Sequence, residues 1–469
     1  VLSCYNPKEK LFKPAYTYQD GKRKYYDFSS YRAEVRKYLL DSRRNLWHCC
    51  ESGFNKISFP DGNYNYIPST SHIEVRGLFI DSQKRIWLGD KDGKIEVYDN
   101  KRNYCGNLDS SGRLVKNKEV TFGANIYCFF EDEEQRIWMG SKENGLYIAN
   151  PNGKGYQISH YLHNKKEKYS LNFNSIYSIN KDNRGHIWIG TYGGGLNLVE
   201  GTFPNLRFIH PQNELENYSP KQQQYLNVRS VHCTSKGIIM VGTTEGLITF
   251  SSDFQSPNQI AFHYNHCEET RAESLANNDV LYIFESRTGE IYVVTYSGGI
   301  SQIKSENLLS NHIRFSHLNK RTGLPSDIAY AILEDKNGNL WISFETCICK
   351  YNLKQNTFET YDRFTLNPHS SISEAPPVID EEQTMYVGTS QGTLYVNLNR
   401  LRKSTFVPPI VFTKVSVRKD DSSSKKVPII DNTLVLEKDE RNATITFAAL
   451  DFVNMENLQY AYRLKGVSD

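Results

Sequence analysis

The strongest constraint on this chain is an internal repeat. A large apolar or aromatic anchor recurs at Trp47, Trp87, Trp138, Trp188, Met240, Tyr292, Trp341 and Tyr386, at intervals of 40 to 52 residues. Six residues before these anchors stand, in turn, Asp41, Asp81, Asp132, Asp182, Thr234, Ser286, Asp335 and Asp380. Side chains of these three types accept hydrogen bonds from backbone N–H groups two residues on, which fixes a tight turn. Three residues further, Gly185, Gly237, Gly289 and Gly338 stand where such a turn asks for positive φ. The unit therefore reads strand, hairpin turn, strand.

The strand before the turn is apolar. Val35, Val75, Ile126, Ile176, Val228 and Val280 lie six residues ahead of the turn residue, with Ala329 and Glu374 as departures. Apolar runs of this length mark strands buried on both faces. Two residues after the anchor, Gly89, Gly140, Gly190, Gly242 and Gly388 recur. A glycine inside a strand marks a bulge or a close backbone approach. Helical periodicity is nearly absent.

A β-hairpin unit with a period of roughly 40–50 residues is one blade of a propeller. The expected fold is all-β, with a β-propeller over residues 1–400. Eight motifs allow eight blades, or seven with an extra or shared element, and seven is favoured. The ring can close by pairing strands from its two ends, which removes exposed edges. The last copy is degraded: Pro376-Pro377 stand where its inner strand should run. After Arg400 the pattern stops. Residues 408–469 alternate as short strands with polar gaps, which suggests the truncated start of a β-sandwich, since a full one needs about 100 residues.

Lys and Arg number 56 against 53 Asp and Glu, a net charge of +3. So small a surplus gives no reason to expect nucleic acid or an anionic membrane as a partner. No apolar run reaches the length of a membrane span. The start, Val1-Leu2-Ser3-Cys4-Tyr5, lacks both an initiator Met and a leader pattern, so the chain is read as a mature or excised fragment. Nine cysteines, with Cys49-Cys50 and Cys347-x-Cys349 as the close pairs, show no second pair at zinc spacing. They are read as buried thiols, with one disulfide left open, and neither metal nor cofactor is expected. Glu131-Asp132 and Glu334-Asp335 are paired acids, but each Asp fills the repeated turn position. A catalytic carboxylate should break the repeat, so no catalytic residue is assigned.

The copy carrying Trp188-Ile189-Gly190-Thr191 and Gly194-Gly195-Leu196 resembles the regulator propeller repeat of bacterial two-component sensors. The segment from Pro408 to Tyr460-Ala461-Tyr462-Arg463-Leu464-Lys465-Gly466 resembles the Tyr-rich immunoglobulin-like module that follows such propellers. Together they resemble the periplasmic sensor region of Bacteroides-type hybrid two-component histidine kinases. The resemblance implies binding of a polysaccharide-derived oligosaccharide and relay of the signal across the inner membrane, to a histidine kinase that controls glycan-utilisation genes. It also implies a homodimer through the membrane-proximal sandwich, with the membrane anchor and the kinase outside this chain, which itself would be no enzyme.

Candidate ligand contacts follow from the blade grammar. Arg76, Arg229 and Asn125 lead into inner strands, and Lys142, Tyr192 and Tyr296 follow second strands. Loops on a rigid scaffold carry function. Aromatic rings stack on sugar faces, and Arg holds carboxylate or sulfate in a fork. Two other readings stay open: a propeller-fold polysaccharide lyase or hydrolase, and a scaffold that binds another protein.

Overall fold

The structure, a computed structural model, describes residues 73–218, 224–362 and 370–401 continuously. On the N-terminal side it describes 3–6, 11–14, 16–19, 22–25, 35–41, 45–50, 53–57 and 64–68. On the C-terminal side it describes 408–419, 424–426, 435–438, 440–450, 460 and 462. Residues 62–401 form one compact unit; residues 1–61 and 402–469 form another.

The first unit is a seven-bladed β-propeller. Six blades are meanders in chain order, with inner strands Val75–Ile80, Ile126–Glu131, Ile176–Lys181, Val228–Cys233, Val280–Glu285 and Ala331–Glu334. The seventh is composite. Val378–Ile379, Thr384–Thr389 and Gly392–Asn397 supply three strands, and Tyr64–Pro68 pairs antiparallel with Gly392–Asn397 as the fourth. A strand from before the first blade thus locks the last one and leaves the ring no open end. The Pro pair shortens the seventh inner strand to two residues, because proline gives the ladder no N–H. The ring therefore starts at its closing strand and not at residue 1. The first copy, with Trp47, pairs within its own sheet (Val35–Leu40, Leu46–Cys50, Gly53–Ile57) in the other unit.

The turn residues do more than brace a turn. Asp182 Oδ1 accepts the N–H groups of Arg184 and His186, and its Oδ2 accepts the indole N–H of Trp188 at 2.9 Å. All five tryptophans, 47, 87, 138, 188 and 341, bond the Asp six residues earlier in this way. Tyr386 bonds Asp380 likewise through its hydroxyl. Where the anchor is Met240 or Tyr292, the turn residue is Thr234 or Ser286, which holds only the turn. Burial pushes the Asp335 carboxyl up, but bonds from Trp341 and Asn339 outweigh it and hold the group below the usual carboxylate range. Lys84, Gln135 and Gln383 take the positive-φ position that Gly185 fills in the third blade.

Seven hydrophobic clusters fill the seven interfaces between neighbouring blades. The second-strand glycines permit this contact. A Cβ on Gly190 would lie 2.5 Å from Val228 Cγ1, and one on Gly242 equally close to Val280 Cγ1. In the fifth blade the sizes exchange: Val294 occupies the glycine position, and Ala329 replaces the β-branched residue, in the same cluster. The closing interface, between the seventh blade and the first, buries three tyrosines, Tyr98, Tyr386 and Tyr395, beside Ile67.

In the second unit, Ile410–Lys419 pairs antiparallel with Ser424–Lys426 and with Glu440–Ala449. Most of the expected closing strand, 458–464, lies outside the described residues. No helix among the described residues is long and apolar enough to cross a membrane.

Candidate functional site

The inner strands surround a central cavity of about 280 Å³. What lines its mouth follows from a defect repeated in the ladders. In the first five blades the pairing register slips after the first residue of the inner strand. The extra residues are Arg76, Tyr127, Tyr177, Arg229 and Leu281. A β-bulge re-aims the side chain of its extra residue. All five line the cavity, together with Tyr330 and Glu374 from the sixth and seventh blades.

The large polar members form a continuous arc. Arg76 Nη2 donates to Glu374 Oε2 at 2.9 Å, and the guanidinium lies 4.7 Å from the centre of the Tyr127 ring. Tyr127 meets Tyr177 edge-on at 5.2 Å, and Tyr177 stacks on Tyr192 at 5.1 Å. The Arg229 guanidinium lies 5.6 Å from the Tyr192 ring and is held by Asp279 through two bonds of 2.7 and 3.1 Å. Burial, reinforced by Glu345, Glu374 and Glu74, pushes the Tyr330 hydroxyl up to about 12.

The hydroxyls of Tyr127, Tyr177, Tyr192 and Tyr330 make no hydrogen bond among the described residues. Several tyrosine hydroxyls elsewhere in the ring are anchored: Tyr161 on the Pro204 carbonyl, Tyr169 on Glu214, Tyr351 on Asn356. Deeper in the channel wall, His232 Nε2 stands 3.8 Å from Glu285 Oε2, beyond hydrogen-bond length. Burial lowers its pKa against the pull of Glu285.

The six residues singled out in the sequence lie on one face of the ring. Backbone bonds between the end of a second strand and the start of its inner strand hold four of them there. Lys142 N–H donates to the Asn125 carbonyl at 2.9 Å, Tyr192 N–H to Ser175 at 2.8 Å and Tyr296 N–H to Asp279 at 2.8 Å. Arg76 and Arg229 line the cavity, and Tyr192 joins the arc between them. Asn125, Lys142 and Tyr296 share the face but do not line the cavity. Sequence reasoning missed Tyr127, Tyr177, Tyr330, Asp279 and Glu374. The signal was present: the residue after the first inner-strand position reads Arg76, Tyr127, Tyr177, Arg229, Leu281 and Tyr330 in strict register. Glu374 breaks the repeat at the position before it, and is an exception of the kind a functional residue produces.

The family model described as two-component regulator propeller matches residues 170–193 and 323–346, which contain the first two strands of the third and sixth blades. Histidine kinase P4 of Formosa agariphila is 22% identical over 445 residues, covering 91% of this chain and 30% of that protein. The chain thus spans less than a third of that relative's length. The extracellular domain of the hybrid two-component system BT3049 from B. thetaiotaomicron superposes with a TM-score of 0.66 at 21% identity, covering 97% of this chain and 62% of that one. Virginiamycin B lyase from Staphylococcus aureus, in a catalytically inactive form with quinupristin, gives 0.51 at 15% identity, covering 71% of this chain and 99% of that one. The chain contains a seven-bladed propeller in which two segments match the two-component regulator propeller model, and its fold is similar to that of the extracellular domain of a hybrid two-component system.

Proposed function

We propose that this chain is the ligand-sensing part of a periplasmic two-component sensor and that its propeller binds a polysaccharide-derived oligosaccharide at the channel mouth. The observation that carries the reading is the arc: five bulges turn Arg, Tyr and Leu side chains into one cavity, and the tyrosines there keep hydroxyls unpaired among the described residues. Half-buried aromatic rings with a polar tip suit a ligand that is apolar on its ring faces and hydroxylated at its edges. Binding would drive signalling only as far as the ligand prefers one arrangement of the sensor over another. A homodimer joined through the segment after residue 408 is part of the same proposal and rests on the family resemblance. The test is autophosphorylation of the full-length parent kinase in lipid vesicles, with a panel of defined oligosaccharides on the sensor side. A response to at least one sugar, lost in Tyr177→Ala, is expected; silence to every sugar refutes the sensing role.

One observation favours an enzymatic reading. His232 lies in the channel wall with Glu285 3.8 Å away, and a lyase shares the fold. Incubation with the same oligosaccharides followed by chromatography separates the two: new products lost in His232→Ala support turnover.

A further inference from the structure

The arc holds two arginines, the residues best suited to carboxylate or sulfate, yet both are already engaged. Asp279 occupies Arg229 in a two-bond fork, and Glu374 and Glu74 both take Nη atoms of Arg76. Around the mouth, Glu74, Glu345, Glu374 and Asp279 stand against Arg76, Lys91 and Arg229, with Lys91 itself paired to Glu74 and Lys142 on the same face but outside the cavity. An anionic ligand would meet a carboxylate beside each guanidinium, and like-charge contact costs affinity. At the mouth this leaves for a ligand chiefly four tyrosine hydroxyls without a hydrogen bond among the described residues, which donate or accept, and the half-buried faces of their rings.

Building on the sensing role proposed above, we infer that the channel mouth selects uncharged saccharides and rejects uronate or sulfated ones, with Glu374 and Asp279 acting as fixed plugs on the two arginines. Recognition then runs through Tyr127, Tyr177 and Tyr192. The plugs make the choice, because without them the same arginines would recruit anions.

The test is calorimetric titration of this chain with cellohexaose, xylohexaose and mannohexaose, and in parallel with hexagalacturonate and a sulfated heparin hexasaccharide. At least one neutral hexasaccharide should bind, and Tyr177→Phe, which keeps the ring and loses the hydroxyl, should weaken it about fivefold or more. Both anionic sugars should bind at least tenfold more weakly, and Asp279→Asn with Glu374→Gln should close that gap. Tighter binding of an anionic sugar to the unmodified protein, abolished by Arg229→Ala, overturns the selectivity and leaves the sensing role standing. Absence of binding by any of the five overturns both.

Discussion

The first copy of the repeat and the copies in the ring share their local chemistry and differ in their surroundings. Trp47 donates to Asp41 at 2.9 Å, as Trp188 donates to Asp182. The hairpin forms in both, and the inner-strand register slips at the same place in both. Yet Tyr38 is 53% exposed, whereas Leu78, Ile179 and Ile283 at the same position are 8%, 8% and 2% exposed. Leu39, Leu40 and Phe54 are exposed as well. The motif encodes the hairpin, and within the ring the neighbouring blade supplies the burial. A single hairpin sheet is marginal in water until an apolar face is covered.

If that is right, the same substitution has different costs in the two settings. Trp138→Ala should destabilise the ring by about 3–5 kcal/mol, the usual penalty for emptying a packed aromatic site, because Trp138 is fully enclosed. Trp47→Ala, at a half-buried site, should cost clearly less. Urea unfolding followed by circular dichroism measures both, and equal losses would break the comparison.

Acid probes burial within the ring. His210 is buried, and desolvation together with His163 lowers its pKa to about 4. A histidine depressed in the folded state adds stability that is complete above its unfolded value of about 6.5. That contribution is lost as pH falls towards 4, about 3 kcal/mol in all. Below that range the depressed Asp335 carboxyl extends the loss. Melting temperatures from pH 7 to 4 should fall, and His210→Gln should flatten the upper part of the decline.

Asp182→Ala removes the acceptor for a turn and for an indole N–H, and should cost about 2–3 kcal/mol, the range for hydrogen bonds to a charged group. Thr234→Ala loses only the turn bond and should cost about 1 kcal/mol. Chemical denaturation compares the two, and a larger loss at Thr234 would contradict the assigned roles. The blade contact gives an effect of similar size. Gly190→Ala should overpack against Val228 and cost about 1–2 kcal/mol, with Val228→Ala in the same chain recovering part of it. Cys49 already fills this position in the first copy, so Cys49→Ala should change little.

Blade number, turn chemistry and the need for a shared closing element were legible in the sequence because they repeat. The identity of the closing strand was not: Tyr64–Pro68 carries no anchor, and only its pairing partner across the chain defines it. The link between Asp and Trp was also hidden, although the two residue types vary together from copy to copy. At the candidate site, Arg76, Arg229 and Tyr192 were reached by looking for polar residues at strand ends. Tyr127 and Tyr177 were passed over because, within an apolar strand, a tyrosine reads as core. Only the bulge, a feature of pairing geometry, turns them into the channel.

The central claim is that the ring's channel mouth is where a sugar binds, and a crystal structure of the chain grown with a bound neutral hexasaccharide tests it most directly. Sugar rings lying against Tyr127, Tyr177 and Tyr192, with their hydroxyls bonded to those phenols, are the predicted result. A sugar ordered elsewhere on the molecule, with the mouth holding only solvent, would contradict it.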